Sequence, residues 1–190
     1  VPRREIEGAI EAHRIRSRPL QTSYRMQQEL QLAGKLRSRL FSLDPPEPDK
    51  GIVPSCVQLA ARETGVSGDY LDIITLSDTR YLVLLGDVSG PGLRTTLVSA
   101  MLKTLLIPEY LADTGLHNVS PGAFLGWLNQ RAIELTENIP DLFIGFGAFL
   151  VDNETGVVTA ASAGNPLPLL QQGNMIRRVE IYGVALGLNG

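Results

Sequence analysis

Apolar positions change their period several times along this chain, and each change predicts an element. From Thr22 to Leu43, the residues Met26, Leu30, Ala33, Leu36 and Leu40 step by four, three, three and four. That near-heptad seam predicts a helix, with Arg25, Glu29, Lys35, Arg37 and Arg39 as its polar flanks. Two packings are open for it: against its own domain, or in a two-stranded contact with a second copy or with the helix upstream. That upstream helix is predicted over residues 4–17, highly charged, with Ile6, Ala9 and Ile10 on one side and Pro19 as its stop. Asp44-Pro45-Pro46-Glu47-Pro48-Asp49-Lys50-Gly51 cannot continue a helix. The connector over 44–51 therefore separates a helical arm over 1–43 from a globular domain over 52–190.

Inside that domain, short apolar runs bounded by turn residues predict strands at Ile52 to Arg62, Tyr70 to Leu76 and Tyr81 to Leu85. Leu93, Leu97, Ala100, Met101 and Leu105 then return to helical spacing, predicting a buried helix from Ser89 to Leu106 that Pro108 ends. Pro108 to His117 reads as a loop. Ser120-Pro121 supplies a cap and a first-position proline for a helix through Leu135, with Phe124, Trp127, Leu128 and Leu135 on its core face. Four further strands follow, at Leu142–Val151, Val157–Ala163, Leu167–Gln171 and Met175–Tyr182. Two meandering sets of antiparallel strands, each with helices, predict an α+β fold with sheet packed on sheet and helices outside.

Composition narrows the function classes. With 190 residues and a net charge of −3, the chain has room for one domain and no general affinity for nucleic acid. No stretch approaches the roughly 18 apolar residues of a membrane span, and the start, Val-Pro-Arg-Arg-Glu, has no apolar leader. A single cysteine, Cys56, forms no internal disulfide and reads as a small core residue. A cytoplasmic location is expected, and Val1 in place of Met suggests a piece cut from a longer protein or a trimmed terminus.

Chemistry concentrates in two turns, Ser67-Gly68-Asp69-Tyr70-Leu71-Asp72 and Gly86-Asp87-Val88-Ser89-Gly90-Pro91-Gly92. An Asp-Gly cluster at a strand end is by itself an ordinary turn. Here the two strands run in opposite directions, so Asp69, which starts one, comes back beside Asp87, which ends the next. Paired carboxylates with glycines nearby suit Mg²⁺ or Mn²⁺, which prefer oxygen donors and room for water. A serine hydrolase is excluded because Gly-Asp-Val-Ser-Gly is not Gly-x-Ser-x-Gly and His13 and His117 fit no triad. Gly90-Pro91-Gly92 lacks the Gly-Lys-Ser/Thr ending of a phosphate loop.

Gly-Asp-Tyr-x-Asp, a strand, then Gly-Asp-Val-Ser-Gly-x-Gly leading into a helix resembles the PPM metal-dependent protein phosphatases, in their bacterial SpoIIE-like branch. The likeness runs from about Gln28 to the end. It includes Phe143-Ile144-Gly145-Phe146-Gly147-Ala148-Phe149 and the turn Ala163-Gly164-Asn165-Pro166, where Asn165 stands in place of the usual histidine. The resemblance implies an αββα sandwich and two Mg²⁺ or Mn²⁺ ions sharing a bridging water that attacks a phosphoserine or phosphothreonine. It assigns metal coordination and catalysis to Asp69 and Asp87, with the backbone carbonyl of Val88 as a further ligand; Asp72 belongs to the motif but ranks behind them. It also implies partners: a phosphorylated regulatory protein such as an anti-sigma-factor antagonist, or a sigma factor, with an upstream sensor or receiver domain and a homodimer through the arm. Further family aspartates follow the segment resembling Val184-Ala185-Leu186-Gly187, and they are absent from these 190 residues through either truncation or loss. An incomplete metal set is therefore expected within these residues, and a degenerate output domain that only binds its partner is the alternative to an active phosphatase.

Overall fold

The computed structural model describes residues 26–41, 43, 52, 55–57, 67–90, 92–137, 139 and 141–188. The predicted helix over 4–17, the connector over 44–51 and most of the predicted strand from Ile52 to Arg62 lie outside them. Strands β1 (Asp69–Thr75), β2 (Arg80–Val88), β3 (Ile144–Asp152) and β4 (Val157–Ala163) form an antiparallel sheet in the order β1-β2-β3-β4. A second, two-stranded antiparallel sheet is made by β5 (Leu169–Gln172) and β6 (Met175–Arg178). The helices are α1 over 26–40, α2 (Leu93–Met101), α3 (Ile107–Thr114) and α4 (Pro121–Thr136). The fold class is α+β, as the pattern of elements predicts.

Side-chain alternation decides which face of the main sheet is buried. Tyr70, Leu82, Leu84, Val88, Ile144, Phe146 and Ala148 all point to one face and are buried there with Val98, Leu102, Phe124 and Leu128 of the helical layer. Gly86 falls on this same face, and a Cβ there would stand 2.6 Å from the Phe146 ring. Its bare backbone is what lets the aromatic rings of Tyr70 and Phe146 close to 5.5 Å between centroids. The opposite face carries Asp69, Leu71, Val83, Leu85 and Asp87, all half-buried or exposed. A tight turn at Ser77-Asp78-Thr79 sets the register of β1 on β2: the Leu76 N–H donates to the Arg80 carbonyl at 2.9 Å, and Ser77 Oγ accepts from the Arg80 N–H at 3.2 Å. At the far end of the chain, Ile144 and Leu186 exchange two backbone hydrogen bonds, and the Gly187 N–H donates to Asn129 Oδ1 of α4 at 3.0 Å.

Pro108 does not end the helix as its position in the sequence suggests; Pro108 to Thr114 is helical, not a loop. Proline removes one N–H, and its ring crowds the carbonyl four residues back. The chain meets this by widening into a π turn over Leu102–Leu106, and Pro108 then sits in the first turn of α3, where a missing donor costs little. Gly115, at φ 76, ends α3. Ser120 and Pro121 do open α4 as predicted, although the Ser120 side chain makes no capping hydrogen bond. The α1 seam is not turned wholly inward: Met26 and Leu36 are 62% and 61% exposed. Burial instead falls on Arg37 and Phe41, at the end of α1 nearest the sheet.

Asp72 shows why that end matters. It lies three positions after Asp69, so alternation sends it to the opposite, helix-covered face of β1. There its Oδ2 accepts from Tyr70 Oη at 3.0 Å and pairs with Lys103 Nζ of the π turn at 2.7 Å. Burial, the Asp72 charge and this hydrogen bond hold the Tyr70 phenol protonated, with its pKa well above the ordinary value. The Phe41 ring meets Tyr70 edge-on at 5.5 Å, with Arg37 and Lys103 over its ring. A carboxylate, an ammonium and a phenol thus tie β1 to the helical layer. Lys103→Met leaves Asp72 charged and largely buried, and is expected to destabilise the fold by about 1–3 kcal/mol, less than for a fully buried pair because both side chains retain some water. Urea unfolding checks this, and adding Asp72→Asn to Lys103→Met should recover part of the loss.

Candidate metal centre

The two acidic turns meet at one edge of the main sheet. Asp69 and Asp87 are direct cross-strand partners. Val88 donates its N–H to the Gly68 carbonyl at 3.2 Å, and Leu76 donates to Arg80 at the other end of the hairpin, so the hydrogen-bonded pairs fall on the even positions of β1. Asp69 and Asp87 therefore form a non-hydrogen-bonded pair, the kind in which Cα atoms approach to about 4.5 Å and side chains are closest. Both carboxylates project from the face away from the helices, where both residues are exposed.

Helix α2 fixes the turn that leads into Asp69. Ser99 Oγ lies 3.0 Å from the Gly68 carbonyl and 2.9 Å from that of Thr95, sharing one hydrogen between them. Thr96 Oγ1 reaches the Ser67 carbonyl, and Ser67 Oγ accepts from the Asp69 N–H at 3.1 Å. Gly68 is squeezed between layers: a Cβ there would stand 2.4 Å from the Val88 carbonyl oxygen and 3.3 Å from Thr95 Cβ. The Val88 carbonyl thus points along the sheet toward Gly68. On the other side, Ser89 Oγ donates to the Asp141 carbonyl and accepts from the Phe143 N–H, both at 2.8 Å. Ser89 is a clamp between the second acidic turn and the start of β3.

Electrostatics mark the pair as strained. Partial burial and the neighbouring Asp69 charge push the Asp87 carboxyl above its ordinary value. Among the described residues no lysine or arginine forms a salt bridge with either carboxylate. Arg37, buried at the end of α1, donates from Nη2 to the backbone carbonyl of Asp69, not to its side chain, and among the described residues its buried Nε has no partner. Desolvation lowers the Arg37 pKa, and the Asp69 charge works against that. Sequence reasoning places Arg37 as a polar flank; one arginine in a charged helix carries no signal that it will turn inward. Lys103, a lone cation in an apolar run, is also missed, because its partner Asp72 is distant in sequence.

Asn165 joins the two acids on the open face. Its Nδ2 donates to the Leu85 carbonyl at 3.3 Å, and its side chain lies over Gly145 and Gly147 of β3, the cross-strand partners of Asp87 and Leu85. A cavity of about 250 Å³ beside it is lined by Asp69, Leu71, Leu85, Gly86 and Asn165, among others. Two like charges opposite one another on adjacent strands repel, and a divalent cation between them removes that repulsion, so the donor set fits a hard ion. Among the described residues no third His, Cys, Asp or Glu completes a metal-binding group. Asp72 belongs to the other face and to Lys103.

Comparison with known proteins bears on the fold and the family. The RsbU and RsbW domains of Rv1364c from Mycobacterium tuberculosis superpose with a TM-score of 0.54 at 24% identity, over 68% of this chain and 34% of that one. The PP2C phosphatase domain with a fragment of the regulatory domain of the cell fate determinant SpoIIE from Bacillus subtilis gives 0.55 at 17% identity, over 68% and 36%. The SiaA-PP2C domain of Pseudomonas aeruginosa gives 0.55 at 19% identity, over 93% and 64%. These likenesses establish the fold, and the chain spans about a third of the first two structures and under two thirds of the third. No curated protein sequence matches the chain. No helix among the described residues is long and apolar enough to cross a membrane. The family described as Stage II sporulation protein E (SpoIIE) matches residues 77–190, more than half of the chain, and the chain belongs to that family.

Proposed function

We propose that this chain is a metal-dependent phosphatase domain that removes phosphate from phosphoserine or phosphothreonine of a regulatory protein in a bacterial sigma-factor pathway. The reading is carried by one observation: in a SpoIIE-family chain with the PP2C fold, Asp69 and Asp87 stand directly opposite one another, and among the described residues no lysine or arginine forms a salt bridge with either carboxylate. Asp69, Asp87 and the Val88 carbonyl are the groups that would hold Mg²⁺ or Mn²⁺. Bound there, the ion supplies an activated water and neutralises phosphoryl charge. The chain's own part is to fix the carboxylates, through the β1–β2 ladder and the Ser99 and Thr96 contacts, and to keep the face beside them open to a phosphorylated side chain. The likeness to structures described as the RsbU and RsbW domains of Rv1364c and the SpoIIE phosphatase domain supports that substrate class.

A second reading has its own support. With no third acidic or imidazole ligand beside the pair among the described residues, a domain that binds an anti-sigma-factor antagonist or a sigma factor without turning it over also fits. In either case α1, with Met26 and Leu36 outward and Arg37 and Phe41 docked, is suited to link this domain to an upstream sensor or receiver domain, or to a second copy.

The two readings part on a single assay. The full-length protein should hydrolyse a phosphorylated anti-sigma-factor antagonist only with Mn²⁺ or Mg²⁺. Asp87→Asn should lower that rate beyond the 10- to 100-fold typical of groups that merely support a metal ligand. Stoichiometric binding of the partner with no turnover above the variant would establish the adaptor reading.

Metal-free stability gives an independent check. Because Asp87 has a raised folded pKa, its ionisation opposes folding, and that penalty grows as pH rises through the folded value. In EDTA at neutral pH, Asp87→Asn is expected to be more stable than wild type, by no more than about 1 kcal/mol at this solvent-screened site. The difference should vanish below the ordinary carboxylate range and reverse when Mn²⁺ is added, as thermal melting would record.

A further inference from the structure

The side chain of Asn165 is held in a way that its local turn does not require. Gly164, at φ 69, turns the chain off β4, and Asn165 then folds back across β3. Its path lies over two glycines: a Cβ at Gly147 would stand 2.9 Å from its Nδ2, and one at Gly145 would stand 3.3 Å from its Oδ1. Any larger residue at Gly147 would displace the carboxamide. The donated hydrogen bond to the Leu85 carbonyl orients the group, leaving Oδ1 over Gly145. Among the described residues nothing donates to that oxygen.

Gly145 is the cross-strand partner of Asp87, and Asp87 is the cross-strand partner of Asp69. All three positions present the same face of the sheet, where neighbouring Cβ atoms lie about 4.5–5.5 Å apart. A free carboxamide oxygen therefore stands in line with the two carboxylates, across the width of strands β1 to β3. Asp69 and Asn165 also line the same cavity. Amide oxygens are good donors to hard divalent ions and add no charge.

We propose that Asn165 Oδ1 is a third, neutral oxygen donor to the cation site of Asp69 and Asp87, oriented by its hydrogen bond to Leu85 and by the glycine cradle of β3. This rests on the metal reading of the acid pair and adds a residue to it. The carboxamide leaves the site's charge at that of two carboxylates, so its contribution is to affinity and geometry.

The test is calorimetric titration of the full-length protein with Mn²⁺ alone, read as affinity, with thermal melting in EDTA as the fold control. Asn165→Ala should weaken Mn²⁺ binding by about tenfold or more, and Asn165→Asp, which supplies a charged oxygen, should bind at least as tightly as wild type. Asn174→Ala, in the β5–β6 turn, should leave the affinity unchanged. Wild-type affinity in Asn165→Ala, with wild-type Mn²⁺ binding itself abolished by Asp69→Asn, would overturn the role of Asn165 and leave the acid pair standing. Absence of Mn²⁺ binding in the wild type would remove both. If Asn165→Ala melts early in EDTA, the Asn165→Asp result decides: weakened binding there overturns the proposal.

Discussion

The pairing of β1 with β2 is the constraint on which the rest of this structure depends. Position 69 faces position 87 because the strands run antiparallel in one register, and the geometry of that pair brings two carboxylates together at a sheet edge. Like charges opposed on a sheet are unfavourable, so the register is held by other contacts. Apolar partners along the same ladder, Ile74 with Leu82 and Tyr70 over Gly86, gain from burial only in this alignment. The core therefore keeps the acids in a place they would not choose for themselves.

A second set of contacts keeps the cations nearby out of salt bridges with the two acids. Lys103 is taken up by Asp72 on the helix-covered face, and Arg37 is spent on a backbone carbonyl. Either cation, if paired with the Asp69 or Asp87 carboxylate, would relieve the repulsion between them. Alternation along β1 achieves this separation: an acid at 69 and an acid at 72 must point to opposite sides. One belongs to the chemistry of the open face and the other to the packing of the closed one.

Much of this is legible in the sequence, for identifiable reasons. Strand ends, the hairpin and the meeting of Asp69 with Asp87 follow from period-two runs and turn residues, which are local signals. The strand Val157–Ala163 is observed as predicted because a glycine turn bounds each end. The outcome at Pro108 is not legible, because a proline stops an ideal helix and the π turn that makes room for it leaves no pattern in the sequence. Nor are Arg37, Lys103 or the orientation of Asn165, whose partners lie 32, 31 and 80 residues away. Side chains recruited over such distances leave no periodic trace.

The turn at Ser77-Asp78-Thr79 sits at the opposite end of the hairpin from the acids, yet it governs them. Its length decides which residue of β2 lies across from each residue of β1. Adding or deleting one residue there would slide the strands by a step, bringing Tyr70 or Gly86 into places now occupied by aspartates. Three surface residues thus act as the ruler for an acid pair they never approach.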